Sequence, residues 1–458
     1  MNTILLTYFL FISFVSLRQI LRGIHFLNWL GKKGPFDQFS YDLSETPKYP
    51  LIVVCIPVLR ERVGHITESM THFDKIDYPH KRTRIVYVTT EKEFTTPFDP
   101  FCNSVQFISS KVSELKSNGE NRFMHIHYPY VTGDKADQLN FAIAELSKNL
   151  TEREFLIAVY DIDSRPDLEI AKIIANQFLE ANRKLSSFQQ YSLYFNNFTD
   201  LPIFMKCSAV HQTLWTFVYE MPTAFRQYKL SQQVVTNKRL LYCFERRLVY
   251  CIGHGHFIKN DTLVEAGYFP TNLLTEDLLL GYQLSLLEIP TKPIFNFDLV
   301  NATNTFGSLI RQSGRWFGGE TNIRHIYRRT AESGRTISLC NKWAYLVRLY
   351  EISCWLMGPL VYTVLLLSST RQPYVLALGI FSGLVYSMVK YTVFMCYAPQ
   401  LNTITRGKFD PSLSEKILIV LLSPLRCLTN CIGPMFFIVQ SIFLRVRGKN
   451  YEFERTEK

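Results

Sequence analysis

The sequence predicts an α/β domain built on a mixed, mainly parallel sheet, with apolar membrane helices at the N-terminal and C-terminal ends. Three observations carry this. Short aliphatic, β-branched runs alternate with helical patterns between residues 48 and 304, as βαβ units do. Both ends of the chain instead hold long stretches with almost no charge. And a strand-like run, FLIAVY at 155–160, passes directly into Asp161 and Asp163, which is where such a sheet delivers its chain to a ligand crevice.

Taken in order, residues 1–17 (MNTILLTYFLFISFVSL) carry no charge and sit at the short end of what spans a bilayer. A cleaved signal peptide would want a basic start and a small-residue cleavage site, and neither is visible. An uncleaved anchor with a juxtamembrane segment is therefore expected over 1–30. PLIVVCIPV (50–58) gives the first strand, 64–75 a helix, RIVYVTT (84–90) the second strand and FMHIHYPY (123–130) a further one. In GDKADQLNFAIAEL (133–146), Leu139, Ile143 and Leu146 recur at helical spacing. The SRPD that follows Asp163 reads as a turn into a helix, with Pro166 in its first turn and Asp167 near its positive end. Residues 305–345, with Arg311, Arg324, Arg328 and Arg329, form an amphipathic segment suited to a membrane surface. Residues 349–370 and 374–397 are long enough to cross, and only Glu351 and Lys390 in them are charged. The stretch 417–444 is interrupted by SPLRCLTNCIGP, which predicts a broken or re-entrant helix, the latter keeping the basic tail 445–458 inside.

The 458 residues carry a net charge of +11, with 47% hydrophobic and 19% charged residues. The basic residues flank the membrane segments: Arg18, Arg22, Lys32 and Lys33, then Arg406 and Lys408, then Arg445, Arg447 and Lys449. That is the positive-inside pattern of a multi-pass protein of the plasma or inner membrane, with the central domain in the cytosol. Nucleic acid is not an expected partner. The ten cysteines are scattered without a CxxC pair, among them Cys102, Cys243 and Cys340, so packed thiols in a reduced compartment are expected.

Asp161 and Asp163 offer hard oxygen ligands to Mg²⁺ or Mn²⁺ and, through the ion, to a phosphate. Taken alone they are as well explained as solvated turn residues. Lys135 in GDKADQLN is a candidate for a phosphate or hydroxyl. Thr275, Glu276 and Asp277 place two carboxylates ahead of LLLGYQL, an expected amphipathic helix. QSGRW brings Gln312, Arg315 and Trp316 within five residues. Each has a dull reading as cap, headgroup contact or interfacial anchor. GHGHF at 253–257 offers two flexible glycines, Gly253 and Gly255, and two histidines, His254 and His256, that resemble half of a metal site.

In this order, K-x-x-x-L-N, D-x-D, T-E-D and Q-x-x-R-W, closed by membrane helices, the chain resembles the family 2 glycosyltransferases. Among these it looks like the membrane-integrated synthases of cellulose, hyaluronan and chitin type. The resemblance covers residues 48–320 and implies a GT-A fold over 48–304. It also implies a donor and metal site at Asp161 and Asp163, with Mg²⁺ or Mn²⁺ as cofactor, and Asp163 as the direct ligand. Asp277 would be the catalytic base, with Glu276 its nearest competitor. Lys135, Gln312, Arg315 and Trp316 would bind donor, and Trp316, Gly253 and Gly255 would lie on the acceptor side. The family's usual P-x-x-N-E is here PVLRE, with Pro57, Arg60 and Glu61. Its aspartate pair after the second strand is replaced by VTTE, leaving Glu91 to contact the base.

The implied activity is inverting transfer from a nucleotide sugar, with UDP the expected carrier, to a growing polysaccharide. One alternative is addition of a single sugar to a lipid-linked acceptor. Another is an inactive scaffold, which predicts lost carboxylates, whereas all are retained. The few spans would enclose a narrow path for a polymer, which a second copy of the chain would widen.

Overall fold

A computed structural model describes residues 2–33, 49–95, 103–232 and 239–447. One seven-stranded sheet organises the centre, in the order β3-β2-β1-β4-β6-β5-β7. The strands are β1 (Leu51–Pro57), β2 (Thr83–Thr90), β3 (Phe123–Tyr128), β4 (Phe155–Val159), β5 (Ser187–Leu193), β6 (His256–Lys259) and β7 (Thr291–Leu299). All neighbours run parallel except β6, which is antiparallel to both β4 and β5. The expected mixed, mainly parallel sheet is therefore present. The expected strands and helix at 50–58, 84–90, 123–130 and 64–75 correspond to β1, β2, β3 and α2 below.

The helices α2 (Val63–Asp74), α3 (Ser104–Ser117), α4 (Lys135–Asn149), α5 (Ile170–Glu180), α6 (Ile203–Trp215), α7 (Met221–Gln232), α8 (Arg239–Glu245), α9 (Asn260–Glu265) and α10 (Glu276–Leu286) follow the leading helix α1 (Asn2–Lys33). Strand β1 shows why they cover both faces. Ile52, Val54 and Ile56 join Ile66 and Phe73 of α2 and Ile174 of α5 on one side. Leu51, Val53 and Cys55 meet Leu139 and Ile143 of α4 and Leu280 of α10 on the other. A parallel strand buried on both faces needs this continuous apolar run.

Beyond the sheet come α11 (Phe306–Thr321), α12 (Ile323–Glu332), α13 (Leu339–Ser368), α14 (Pro373–Leu384), α15 (Lys390–Cys396), α16 (Ala398–Ile404), α17 (Leu413–Leu428) and α18 (Ile432–Val446). A π-helical turn, Val385–Val389, joins α14 to α15, and a 3-10 turn, Thr429–Cys431, joins α17 to α18. Among the described residues, four helical stretches are long and apolar enough to cross a membrane: Thr3–Trp29, Leu339–Ser368, Pro373–Cys396 and Leu413–Val446.

Several expectations change. The uncharged start at 1–17 is the first half of a helix that continues to Lys33, because Arg18 and Arg22 are compatible with helix and nothing breaks it. The break in the last stretch keeps helical dihedrals on both sides, at Leu428 and Ile432, so it is a broken helix and not a hairpin. Residues 448–458 of the basic tail lie outside the described residues, as does Cys102. Helix α10 is not amphipathic: Leu278 through Leu286 are all buried. Pro166 lies outside α5, where its carbonyl oxygen is 2.8 Å from His72 Nε2, while Asp167 accepts the Glu169 N–H at 2.9 Å. Cys243 and Cys340 are joined as a disulfide, against the expectation of packed thiols in a reduced compartment. They stand 97 residues apart, so only the packing of α8 on α13 brings them together.

Candidate active site

The parallel strands β1 to β4 end along one edge, where Asp161 beyond β4 and Lys135 beyond β3 meet the segments that lead into β6 and α10. Asp161 leaves β4 and is met by Lys135, the first residue of α4, whose Nζ donates to Asp161 Oδ1 at 2.9 Å. The same ammonium lies 3.4 Å from Glu276 Oε1 and donates to the Gly253 carbonyl at 3.4 Å. Gly253 in turn is where Asp277 arrives: a Cβ there would lie 3.0 Å from Asp277 Oδ2. Three motifs scattered over more than a hundred residues thus meet around one lysine.

Local structure explains the meeting. Asp134 caps α4 in a reciprocal box with Asp137, which fixes Lys135 in the first turn. Its second oxygen accepts the Asn272 N–H at 2.8 Å, tying the α4 N-terminus to the loop before α10. Asn140, one turn on, closes that tie by bonding both the N–H and the carbonyl of Phe269, at 3.0 and 2.9 Å. This is an amide clamping backbone and not a group facing ligand.

Helix α10 is pressed into place by absent side chains. At Gly281 a Cβ would sit 2.2 Å from the Cys251 nitrogen, so the helix lies directly on the strand-like segment leading to Gly253. Thr275, its N-cap, has φ 54° and ψ 66°. A β-branched residue in the left-handed region is a true outlier, costing on the order of 1–3 kcal/mol. Gly319 of α11 accommodates it, since a Cβ there would fall 1.7 Å from Thr275 Oγ1.

The electrostatics follow. Burial, and next the neighbouring Glu276 carboxylate, push Asp277 up to about 7, against the pull of Lys135. Burial alone would lower Lys135, but Asp161, Glu276 and Asp277 outweigh it and hold the ammonium above its usual range. Burial likewise lifts Asp134 to about 6, with Asp137 and Glu276 adding to the effect. Three carboxylates around one ammonium leave an excess of negative charge.

Asp163 stands two residues beyond Asp161, half-buried, on the far side of the buried Ile162. Carboxylate oxygen is the donor type a hard divalent cation prefers, and Mg²⁺ commonly completes its shell with water and phosphate. No cluster of three or more His, Cys, Asp or Glu suited to a metal occurs among the described residues. The donor set fits such an ion only if a ligand's phosphates share in holding it.

The remaining expected residues divide. Arg315 and Trp316 on α11 come near the cluster through Tyr194, just past β5. The Trp316 and Tyr194 rings stand edge to face at 6.4 Å, and Arg315 and Asp277 both act electrostatically on the Tyr194 hydroxyl. Arg315 Nε is buried without a hydrogen-bond partner. Gln312 turns inward, its Oε1 accepting from Gln212 of α6 at 3.2 Å. Gly255, at φ 68°, packs on Gln190 of β5, where a Cβ would lie 2.8 Å from Gln190 Cβ. Glu91 follows β2, two strands away from β4, and pairs with His127 at 2.9 Å. His254 lies 2.9 Å from the buried Asp298, whereas His256 bonds Ser187 at 3.1 Å, so the two histidines serve different partners.

Sequence reading missed Tyr194, Glu220 and Gly319. Glu220 is raised by its burial and accepts from Tyr250 at 2.7 Å and Thr216 at 2.8 Å, in the region behind Tyr194. The paired glycines Gly318 and Gly319, separated from Trp316 by Phe317, were the one available signal.

No family model matches the chain, and no curated protein does. Solved structures similar to it include the mannosyltransferase PcManGT from Pyrobaculum calidifontis in complex with GDP-Man and Mn²⁺. That likeness has a TM-score of 0.48 and 12% identity, over 92% of this chain and 99% of that one. TarS 1–349 of S. aureus is similar at a TM-score of 0.42 and 13% identity, over 88% and 93% of the two chains. Its complex with UDP-GlcNAc gives 0.37 and 12%, over the same shares. Likenesses at these scores assign no role to any residue here.

Proposed function

We propose that the protein is a membrane-bound, inverting glycosyltransferase of GT-A type, moving a sugar from a nucleotide sugar to a growing polysaccharide. The observation that carries this is the convergence on Lys135 of Asp161, Glu276 and the carbonyl of Gly253, with Asp277 alongside. Residues that resemble separate donor and base motifs lie side by side beyond the carboxyl ends of the parallel strands, where ligands of such sheets bind.

Asp277 takes the proton from an acceptor hydroxyl, whose oxygen bonds to the anomeric carbon as that carbon's bond to the diphosphate oxygen breaks. A carboxylate lifted to about 7 suits this, since a base titrating near the working pH combines ionisation with proton affinity. Asp163 and Asp161 would hold Mg²⁺ or Mn²⁺, which supplies positive charge to the departing diphosphate. Lys135 and Arg315 add fixed positive charge to the phosphates, and Trp316 offers a flat face to a sugar. Glu91 would reach the base from the end of β2, two strands from β4.

Transfer of a single sugar to a lipid-linked acceptor is the second reading, favoured by buried basic residues in the helix bundle described below. The test is turnover of a panel of nucleotide sugars by membranes bearing the protein, with Mn²⁺, Mg²⁺ or chelator, and with the product sized. Metal-dependent transfer to a long product is expected. A single-sugar lipid product would select the second reading, and no turnover with any donor and supplied acceptor would overturn both.

A further inference from the structure

Lys390 and Arg426 stand inside the helix bundle, 6% and 4% exposed, on two of the stretches long enough to cross a membrane. No carboxylate pairs with either among the described residues. Lys390 Nζ lies 4.1 Å from the centroid of the Tyr386 ring. One Arg426 nitrogen donates to Asn430 Oδ1 at 3.2 Å, while its Nε is buried without a partner. Among the other buried cations of the described residues, Arg122 pairs with Asp74 and Glu120, Lys206 with Glu415, and Arg348 with Glu320 and Glu351, while Arg246 has no carboxylate but donates to Asn341, Gln227 and the Ser285 carbonyl.

The helices that carry the two cations pack together, α15 on α17, and α17 packs in turn on α6. Both cations act electrostatically on His211 of α6, which burial, then Arg426, then Lys390 hold well below its usual range, so that its ring is neutral. Its Nδ1 lies 2.6 Å from the hydroxyl of Tyr391, the residue after Lys390. Helix irregularities surround the site. Lys390 directly follows the π turn Val385–Val389, and Arg426 lies two residues past Pro424 and just before the 3-10 turn. Irregular backbone at membrane depth is tolerated where it lines a cavity or is buried in protein, and π turns concentrate at functional positions. Next to His211, Gln212 bonds Gln312 of α11, the helix that carries Arg315 and Trp316.

Two cations taken out of water with no counter-charge are costly in any low-dielectric surrounding. An ionisable residue at membrane depth is retained for a partner. From the uncompensated pair and its position behind α11, we infer that Lys390 and Arg426 form a binding site for a phosphate group carried by a lipid or free in solution. Arg426 supplies planar donors and Lys390 a point charge, the combination that holds a phosphomonoester. The inference rests on the reading of the bundle as membrane-embedded and not on the transfer chemistry, so either can fail alone.

The test uses the full-length protein in nanodiscs of phosphatidylcholine with a minor fraction of phosphatidic acid, reading retained lipid by native mass spectrometry after transfer to detergent. Wild type is expected to retain phosphatidic acid over phosphatidylcholine, and Lys390→Met and Arg426→Met to lose at least tenfold of that retention, with Lys390→Arg keeping it. Size-exclusion profiles and melting temperatures establish that each variant is folded. Should a variant misfold, the wild-type preference between the two lipids still decides. A parallel arm adds inorganic phosphate to lipid-free protein: stabilisation by phosphate as well as lipid marks the phosphate group itself as the ligand, and stabilisation by lipid alone marks a headgroup site. Equal retention of both lipids by wild type, or unchanged retention in folded Lys390→Met and Arg426→Met, overturns the inference.

Discussion

The chain buries charge in two places by opposite means. At the sheet edge one ammonium is shared among Asp161, Glu276 and Asp277, and the excess is negative. In the helix bundle Lys390 and Arg426 are more deeply buried, carry positive charge only and have no ion pair among the described residues. The first cluster is held together by its own internal pairing, so a ligand there must work against organised charges. The second is left open to an anion. Interaction between unit charges grows as the effective dielectric falls, so an unmatched pair in the bundle exerts a longer reach than the matched set at the crevice. A protein that handles an anionic donor at one end and an anionic lipid at the other would need this division.

The largest effect that would sharpen the comparison is at Asp277. Asp277→Asn is expected to lower the rate of transfer by on the order of 10²–10⁴, the usual weight of a general base. Its stability should move the other way. Asp277 sits at about 7 in the fold, above the ordinary range near 4, so ionising it weighs against the folded state. As pH rises from about 4 to about 7 the unfolded chain has already released this proton, and stability falls; above that window the cost is constant. The variant should therefore melt no lower than wild type at pH 8. A marked drop in melting temperature would assign the lost activity to misfolding and remove the case for a base.

A smaller effect is expected from geometry. Gly319→Ala drives a methyl group into Thr275 and should cost about tenfold to a hundredfold in turnover, as small displacements of reacting groups do. Adding Thr275→Gly removes the clash and the left-handed strain together, and should restore part of the rate. If the double variant is no better than Gly319→Ala, close approach at Thr275 is not what α11 provides.

The smallest change is in the pH profile. With Asp277 as base, kcat/KM should fall tenfold per pH unit below about 7. Glu276→Gln removes a neighbouring negative charge and should move that limb to lower pH, while Lys135→Met should move it higher. A limb that ignores both substitutions would break the claim that these carboxylates act as one coupled set.

Much of the fold was legible because local patterns and tertiary structure agree. β1 and β4 are aliphatic runs buried on both faces, and such runs have few alternatives to a central strand. Helix α4 was marked by Leu139, Ile143 and Leu146 at helical spacing, all three buried. What misled was composition read without neighbours. LLLGYQL looked one-sided, yet α10 is covered all round, because α11 and α12 close over the face that would have met water. Gln312 and Gly255 carry the letters of a motif, but their immediate contacts are Gln212 and Gln190. Cys243 and Cys340 gave no spacing signal, since helix packing and not sequence distance joins them.

By itself the sequence determined the alternation of strand and helix, the apolar ends, and which residue types could do chemistry, for these depend on periodicity and side-chain identity within a few residues. Only the tertiary structure decided that Lys135 would be paired with Asp161 and Glu276 beside Asp277, that Asp277 would be lifted to about 7, and that Lys390 and Arg426 would be buried on packed helices with no ion pair among the described residues. The physical reason is one of range. Propensity and patterning act along the chain, whereas burial and Coulomb interactions act between residues that the chain separates and the fold returns to contact.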